Sequence, residues 1–393
     1  MNHTERIRSV EIFHIANPSL RPTIVRIRTD AGTVGLGDCG VSYGAGAQTM
    51  PHLLAELARD FVVGRSLADR HRILTDLTYG TFWAKRAGAL MSGAISALDQ
   101  ALQDATARSL GVPLYELLGG KVRDTVPVYA NGWYFGHADD DAQMKAACRA
   151  VDDGHEALKL YPMAWQDEKQ RLRHPGPDAF DQTLLRRSVE RVRRLRQAVG
   201  ADTRIMADLS GSLPRDVTPT VLHELAGLDV EFVEEPFNPA DDGSLDWIGR
   251  GSPVLLAAGE RYYGLQPFDR ALSSGAIHIL QPDICLVGGH GVFQSVAALA
   301  LSHSVRISPH NCASGIATAH TLQAAATVAN LHSVETFPYL HTVPGYHEIL
   351  TEPLERHIRA GQLVIPDGSG IGVDLDDAIV SRFLADTVEA SQA

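Results

Sequence analysis

The fold is decided by residues 204–236, RIMADLSGSLPRDVTPTVLHELAGLDVEFVEEP. Two short apolar runs, RIMADLS (204–210) and VEFVEEP (230–236), enclose a segment with amphipathic helical spacing. Short apolar runs bounded by turn residues indicate buried strands, and a helix between two of them indicates a βαβ unit with parallel strands. Each run also ends in acidic residues, with Asp208 in the first and Glu234 in the second.

The same unit repeats on both sides of this stretch. Apolar runs recur roughly every 25 to 30 residues with amphipathic segments between them, which is the spacing of βα units. Eight such strands predict an α/β fold built on a TIM-type barrel. The predicted strands are VPVYANG (126–132), ALKLYP (157–162), RIMADLS (204–210), VEFVEEP (230–236), VLLAAGE (254–260), HILQPDI (278–284), VRISPH (305–310) and SVETFP (333–338).

The two ends of the chain have a different pattern. TIVRIRTDAGTVGLGD (23–38) alternates like strands joined by a glycine turn, and GALMSGAISALDQALQDATARSLG (88–111) then has helical spacing, which is an α+β order of elements. Residues 349–393 lack the barrel periodicity and are expected to pack on the N-terminal unit. We therefore expect an N-terminal α+β capping domain over 1–125, a catalytic barrel over 126–348 and a returning C-terminal segment.

The connection after the second predicted strand is longer than the others. It carries PMAWQDEKQRLRHPGPDAFDQ (162–182) before the next helical segment. This insert is either a loop near the mouth of the barrel or a solvated excursion on the surface, and the sequence leaves both interpretations open.

Composition limits the class of partner. The 393 residues include 47 Asp and Glu against 35 Lys and Arg, a formal charge of −12, which argues against a nucleic-acid or anionic-membrane partner. The four cysteines have no CxxC spacing, so neither a disulfide framework nor a structural zinc site is indicated. Without an apolar signal core or a membrane-length apolar run, we expect a soluble, unprocessed protein in the reducing cytoplasm.

Three acidic residues fall at the ends of three successive predicted strands: Asp208, Glu234 and Glu260. The C-terminal strand ends of such a barrel meet at one mouth, so these carboxylates would converge and repel one another unless a cation lay among them. Singly, each acid could be a helix N-cap. Three hard oxygen ligands together, with no thiolate or histidine cluster beside them, point to Mg²⁺.

Proton-transfer groups fall at other strand ends of the same barrel. QPD places Asp283 after strand six and SPH places His310 after strand seven, so a carboxylate could hold an imidazole for general acid/base work. On strand two, Lys159 and Tyr161 share one face while leucines occupy the other. The alternative for this pair is that Lys159 forms a salt bridge with a metal-ligand carboxylate and Tyr161 packs under a loop.

The chain resembles the enolase superfamily, and specifically the acid-sugar dehydratase members of its mandelate racemase/muconate lactonizing enzyme family. The resemblance rests on six motifs in family order: ADLSG, VEEPF, AAGER, ILQPDICLVGG, ISPHNCASG and VETFP. It covers nearly the whole chain and implies a modified TIM barrel, (β/α)7β, beneath an α+β capping domain formed by both chain ends.

The resemblance also implies roles for individual residues. Asp208, Glu234 and Glu260 match the three Mg²⁺ ligands, Asp283 and His310 match a His-Asp dyad, and Glu335 matches an acid that hydrogen-bonds the substrate carboxylate. Substrate contacts are expected from Asn131, Trp133 and Arg86. Two cap segments, GDCGVSYGAGAQ (37–48) and TFWAKR (81–86), match positions that cover the mouth and set specificity, or else serve only in interdomain packing.

One position departs from the family pattern. Many relatives carry Lys-x-Lys at the end of strand two, whereas this chain has Lys159-x-Tyr161. Some acid-sugar dehydratases resemble it in using tyrosine there, so racemase chemistry of the lysine-histidine type comes into doubt. Ser210 also stands where Asn or His is common.

The leading hypothesis is a Mg²⁺-dependent dehydratase that converts an aldonate or aldarate to a 2-keto-3-deoxy acid. Tyr161, helped by Lys159, is preferred over His310 as the base that removes the C2 proton, and His310 protonates the departing C3 hydroxyl. A racemase, epimerase or lactone cycloisomerase using the same groups is the alternative, and a barrel that binds ligand without turnover is a third possibility. A homo-oligomer is expected from the resemblance.

Overall fold

The protein, described by a computed structural model, is defined over residues 5–16, 20–137, 139–167, 172–176, 180–238, 242–248, 251–340 and 345–391. Its strands are β1 (Ile7–Ile15), β2 (Thr23–Thr29), β3 (Val34–Asp38), β4 (Thr125–Ala130), β5 (Ala157–Leu160), β6 (Trp165–Gln166), β7 (Leu172–Arg173), β8 (Arg204–Asp208), β9 (Val230–Glu234), β10 (Leu255–Ala258), β11 (Ile279–Leu280), β12 (Arg306–Ile307), β13 (Val334–Thr336), β14 (Gln362–Val364) and β15 (Leu384–Ser391).

The α-helices are α1 (Met50–Leu57), α2 (Arg70–Thr75), α3 (Ala89–Leu110), α4 (Leu114–Leu117), α5 (Asp140–Asp152), α6 (Gln182–Val199), α7 (Thr218–Ala226), α8 (Asp242–Ile248), α9 (Gln266–Ser274), α10 (His290–Ser302), α11 (Gly315–Ala326) and α12 (Asp377–Phe383). Among the described residues, none of the helices has both the length and the apolar character that crossing a bilayer would require.

Eight parallel strands form the barrel, in the order β12-β11-β10-β9-β8-β5-β4-β13. The two outer strands of this order also meet, because the backbone N–H of His332 donates to the carbonyl of Ile307 at 2.7 Å beside a parallel bridge. One helix of the series α5 to α11 follows each of the first seven strands along the chain. The predicted (β/α)7β barrel is therefore confirmed.

Every observed barrel strand ends earlier than the apolar pattern predicted. The difference is largest for β11 and β12, whose ladders stop at Leu280 and Ile307 although the apolar runs continue to 284 and 310. Proline lacks the N–H that a ladder needs, and it follows five of these strands within two residues. These prolines are Pro162, Pro236, Pro282, Pro309 and Pro338. As a result, Asp283 and His310 lie in loops above the sheet.

Both chain ends form the cap, as predicted. An antiparallel sheet of order β15-β1-β2-β3 pairs the C-terminal strand with the N-terminal one. The expectation for the C-terminal segment is wrong in one part, because β14 pairs with barrel strand β4 instead of with the N-terminal unit. Leu363 of β14 is buried in a cluster with Val126 and Val128 of β4, whereas Val364 is exposed. The domain boundaries at 125 and 348 stay a prediction.

Two glycines of β3 allow helix α3 to lie directly on the cap sheet. A Cβ added at Gly37 would lie 2.1 Å from the carbonyl oxygen of Ala97, and one at Gly35 would lie 2.1 Å from that of Ala101. Backbone atoms cannot move aside as a flexible side chain can, so these positions tolerate no larger residue without separating helix and strand.

We expect Gly37→Ala to destabilise the protein by about 1–3 kcal/mol, the usual cost of overpacking. The matched control is Gly291→Ala at an exposed position of α10, where an added Cβ meets nothing within 4 Å. That change should be neutral or slightly stabilising because alanine favours helix. Thermal unfolding of the two variants measures the difference, and equal midpoints would show that the glycine contact is dispensable.

Candidate active site

The three predicted metal ligands lie together at the mouth of the barrel. Asp208 and Glu234 are the last residues of the neighbouring strands β8 and β9, and Glu260 lies two residues beyond β10. One carboxylate oxygen of each is within 4.8 Å of the others, and all three residues are buried. Gly259, at φ 144°, lets β10 approach β11 closely, since a Cβ there would lie 2.8 Å from the backbone nitrogen of Gln281.

The electrostatics of this cluster fit a cation. Burial raises the pKa of Glu260 to about 8 and that of Glu234 to about 7, and the neighbouring carboxylates add to both shifts. The Oε1 atom of Glu234 is buried with no hydrogen-bond partner among the described residues. A buried, unpartnered oxygen in a set of three carboxylates is what a hard divalent cation would complete. The donor set therefore fits a divalent metal ion.

The second glutamate of VEEPF has a different task. Glu235 has a left-handed backbone (φ 37°), so its side chain leaves the cluster and pairs with Arg261. The same guanidinium lies 2.9 Å from Glu260 Oε1. Arg261, from the GER motif, thus holds Glu260 from outside, a role that the sequence analysis missed. The adjacent EE and ER pairs at two strand ends were the available signal.

Lys159 lies in the centre of the acidic residues. Its side chain is fully buried, with Nζ 2.7 Å from Glu234 Oε2, 2.7 Å from Glu335 Oε1 and 3.6 Å from Asp208 Oδ2. Burial lowers the pKa of Lys159, but these carboxylates raise it well above its usual value. The salt bridge with a metal-ligand carboxylate, one of the two alternatives for this lysine, is therefore present.

Tyr161 lies just beyond β5, at the edge of the same cluster. Its hydroxyl is 3.4 Å from Asn131 Nδ2, and its backbone N–H donates to the hydroxyl oxygen of Tyr134 at 3.2 Å. Burial and the Asp208 carboxylate raise the pKa of Tyr161, while the Lys159 ammonium opposes them. The adjacent residues Leu158 and Leu160 pack in the wall toward the outer helices, as strand alternation predicted.

The predicted substrate contacts meet different outcomes. Asn131 is buried and donates to Glu335 Oε1 at 2.8 Å, so it belongs to the network at the mouth. Trp133 is buried too, and its indole N–H donates to the carbonyl of Lys159 at 2.9 Å. The indole N–H, the only polar group of this side chain, is therefore bonded to the backbone of β5. The side chain of Arg86 lies outside the described part of the structure.

His310 and Asp283 form the predicted pair across two neighbouring loops. His310 Nδ1 is 2.6 Å from Asp283 Oδ2, which leaves Nε2 directed at the cluster, 3.2 Å from Glu260 Oε2. Burial lowers the pKa of His310, but Glu260, Asp283 and Glu335 together raise it to about 10. The carboxylate fixes the orientation of the ring, so one imidazole nitrogen faces the acidic residues.

Glu335 on β13 connects the two sides of the site. Its Oε1 receives hydrogen bonds from Lys159 and Asn131, and its Oε2 receives the backbone N–H of Asn311 at 3.3 Å. Burial raises the pKa of Glu335, but Lys159 and His310 outweigh it and lower the pKa overall. Asn311, next to His310, was not among the predicted site residues.

The cap loop 37–48 lies against this mouth. The N–H of Gly40 donates to the backbone carbonyl of Cys285 at 3.3 Å. The hydroxyl of Ser42 donates to the backbone carbonyl of Cys312, also at 3.3 Å. Asp38 Oδ2 accepts the N–H of Ser314 at 2.8 Å. The loop is therefore bonded to the segments that carry Asp283 and His310.

The described part of the insert 162–182 also lies at the mouth. Trp165 and Leu172, from the hairpin β6–β7, line a cavity of about 830 Å³ together with Tyr161. The ring of His174 lies 5.4 Å from that of Tyr161. Of the two interpretations of the insert, these residues support the loop near the mouth. Residues 168–171 and 177–179 lie outside the described part.

Family profiles match both parts of the chain. Residues 10–119 match the profile described as mandelate racemase / muconate lactonizing enzyme, N-terminal domain. Residues 143–379 match the profile described as enolase C-terminal domain-like. Together these two matches cover most of the cap and most of the barrel.

Curated proteins similar to this chain include two dehydratases and one isomerase. A D-gluconate dehydratase of Thermoproteus tenax is 32% identical over 75% of this chain, although the match spans only 57% of that enzyme. A D-xylonate dehydratase of Haloferax volcanii is 29% identical over 92% of this chain and 85% of its own length. A D-galactarolactone cycloisomerase of Agrobacterium fabrum is 29% identical over 92% of this chain and 90% of its own length.

Proposed function

The chain belongs to the mandelate racemase / muconate lactonizing enzyme family of the enolase superfamily, and on that premise we propose that it is a lyase that removes water from an acid sugar. One observation carries the proposal. Proton-transfer groups face the acidic cluster from two sides, Tyr161 after β5 and His310 after β12. Two relatives at 32% and 29% identity are named as dehydratases of sugar acids, which supports elimination over isomerisation.

Dehydration of a 2,3-dihydroxy acid requires removal of the C2 proton and departure of the C3 hydroxyl as water. We assign the first step to Tyr161 as phenolate, which the Lys159 ammonium and a bound cation would favour against the burial and the Asp208 carboxylate that raise the pKa of Tyr161. His310, oriented by Asp283 at 2.6 Å, gives its proton to the leaving hydroxyl. The enol that remains takes up a proton at C3 and loses its C2 hydroxyl proton, which gives the 2-keto-3-deoxy acid. Tyr161 then releases its proton to solvent and His310 takes one up, so each proton removed or given is accounted for.

Asp208, Glu234 and Glu260 would hold the cation, which we propose to be Mg²⁺ because all three ligands are carboxylates. When bound, a divalent ion supplies Lewis-acid stabilisation of the negative charge that develops on the substrate carboxylate. Glu335 and Lys159, 2.7 Å apart, border the same space and would position the substrate carboxylate. The side-chain amide of Asn131 donates to Glu335 Oε1 at 2.8 Å and so helps to fix the orientation of that carboxylate.

The proposal is tested by incubating the protein with Mg²⁺ and a panel of aldonates and aldarates and assaying for 2-keto acid. Formation of a 2-keto-3-deoxy acid from at least one member is expected. If no member of a panel that covers the common stereoisomers is turned over, the dehydratase assignment fails.

Tyr161→Phe is expected to lower kcat by about 10²-fold or more, within the usual contribution of a general base. The change removes only the hydroxyl, so the edge-to-face contact of this ring with that of Tyr134, at 6.2 Å between centroids, remains. Proton NMR in D₂O should show that exchange of the C2 proton is lost as well. The matched control is Tyr115→Phe in the cap, whose hydroxyl bonds Asp367 at 2.9 Å and which should keep full activity. If Tyr161→Phe keeps both turnover and exchange, His310 is the base and the strand-two pair only positions substrate.

Cycloisomerisation is the second candidate, favoured by the match to a D-galactarolactone cycloisomerase over 92% of this chain. The same acid and base could move a proton without net loss of water. Proton NMR in D₂O separates the two activities, because deuterium incorporation without 2-keto acid would indicate isomerisation or epimerisation. Appearance of 2-keto acid would indicate dehydration.

A further inference from the structure

A buried chain of hydrogen bonds leads away from the residue next to His310. Asn311 donates from its side-chain amide to the backbone carbonyl of Glu335 at 3.0 Å and to the hydroxyl of Thr318 at 3.0 Å. The Thr318 hydroxyl in turn donates to Glu355 Oε1 at 2.6 Å. Thr318 belongs to α11, whereas Glu355 comes from the C-terminal segment.

The chain continues from Glu355 back to the strand where it began. Glu355 Oε2 is 3.1 Å from His347 Nδ1, and His347 Nε2 is 3.2 Å from the carbonyl oxygen of Phe337. Phe337 follows Glu335 by two residues on the same segment. The hydrogen-bond chain therefore contacts both ends of the Glu335–Phe337 segment, at the carbonyl of Glu335 and at that of Phe337. Its four side chains are each at most 4% exposed: Asn311, Thr318, His347 and Glu355.

The chemistry of the partners sets the direction of every bond. A carboxylate and a carbonyl both accept, so both ring nitrogens of His347 must carry hydrogen and the ring is an imidazolium. Its positive charge pairs with Glu355, whose pKa burial raises but His347 and Thr318 lower overall. Since Glu355 then accepts, Thr318 must donate to it and must accept from Asn311. No member of the chain is free to reverse its bond.

We propose that Glu355, through Thr318 and Asn311, is a positioning residue for the Glu335–His310 side of the active site. This inference rests on the proposed function for its kinetic consequence. Asn311 places its own N–H on Glu335 Oε2 at 3.3 Å and is covalently joined to His310. A fixed Asn311 amide therefore fixes the distance between the Glu335 carboxylate, which borders the substrate, and the His310 imidazole, which donates a proton to the substrate. A misplacement of such groups by about 1 Å can cost about 10²-fold in rate.

The decisive experiment compares Thr318→Val with Thr318→Ser. Valine keeps the shape but removes the hydroxyl, and serine keeps the hydroxyl but removes a methyl group. We expect Thr318→Val to lower kcat about 10-fold with KM changed less than about twofold, and Thr318→Ser to stay within about twofold of the wild type in both. A purely structural role predicts that Thr318→Val lowers the unfolding temperature, because Glu355 and Asn311 lose a buried partner, while kcat of the folded enzyme stays unchanged.

A second pair of variants acts at the other end of the chain. In Glu355→Gln the amide oxygen can still accept from Thr318, and the amide N–H can donate to the Nδ1 of a neutral His347. This variant should keep most of the wild-type kcat, whereas Glu355→Leu should fall about as far as Thr318→Val. Equal loss in Gln and Leu variants would overturn the proposal, as would full activity in Thr318→Val.

One readout does not depend on turnover. The ¹⁵N NMR spectrum of His347 should show both ring nitrogens protonated in the wild type at neutral pH, and one of them unprotonated in Glu355→Gln. If the wild type turns over no acid sugar, the proposed function fails while this spectrum still tests the chain. If the wild type is active and His347 is a neutral imidazole, the chain of donors is wrong and the positioning role fails with it.

Discussion

Replacing His310 by asparagine is expected to lower kcat for acid-sugar dehydration by about 10³-fold, within the range for loss of a general acid. Asparagine can still bond Asp283, which lies 2.6 Å from His310 Nδ1, but it cannot give a proton to the leaving hydroxyl. Because the base lies on the other side of the site, exchange of the C2 proton in D₂O should continue in this variant. Kinetics for 2-keto acid formation and proton NMR measure the two steps separately.

His332→Asn is the matched control for this experiment. His332 is also buried and also faces a carboxylate, with Nε2 2.9 Å from Glu231, but it precedes β13 and lies at the opposite end of the barrel. Its replacement should cost stability and leave kcat within about twofold, as expected of a residue that contacts no reacting group. A fall of less than tenfold in His310→Asn would remove this histidine from the acid role. Loss of exchange together with dehydration would instead make it the base.

Glu234→Gln is expected to abolish both Mg²⁺ binding and turnover. An amide keeps the shape of the side chain but removes one of three negative charges, and Glu234 Oε1 is the buried oxygen with no described partner. Metal stabilisation of developing charge is worth several kcal/mol, which corresponds to about 10³-fold or more in kcat. Titration calorimetry with Mg²⁺ measures the binding, and the 2-keto acid assay measures the rate.

The same strand supplies the control. Glu231 lies at the N-terminal end of β9, where it pairs with His332, so Glu231→Gln changes an equivalent charge far from the mouth. In the wild type and in Glu231→Gln, saturating Mg²⁺ should raise the unfolding temperature, since a ligand that binds only the folded state stabilises it. Glu234→Gln should show no such rise. A variant that still binds Mg²⁺ with wild-type affinity would place the metal ion elsewhere.

Much of the site was predictable because barrel topology turns spacing into position. Once the apolar runs around residues 204–236 are assigned as parallel strands, their last residues must meet at one mouth. Asp208 and Glu234 follow from that rule, and the structure brings Glu260, Asp283 and His310 to the same place. The lengths of the strands were not predictable from apolarity, because the prolines that stop the ladders lie inside the apolar runs.

Other contacts depend on parts of the chain that no local pattern relates. The indole of Trp133 is an example, since it bonds the carbonyl of Lys159 and was expected to touch substrate. Arg261 likewise forms an ion pair with Glu235 because the left-handed backbone of Glu235 directs its side chain away from the acidic cluster. The hydrogen bond from the N–H of Ser314 to Asp38 Oδ2 joins the barrel to the cap across 276 positions of sequence.

The sequence by itself therefore determined the barrel and the kinds of groups at the mouth, because apolar period and strand-end position are local properties, and the family motifs implied the cap built from both chain ends. Only the tertiary structure decided which partners those groups take. Lys159 lies between Glu234 and Glu335, and Glu355 reaches Asn311 through Thr318. These choices follow from how the closed barrel and the returning C-terminal segment exclude water, since a buried charge or hydroxyl must bond whatever acceptor packing brings within reach.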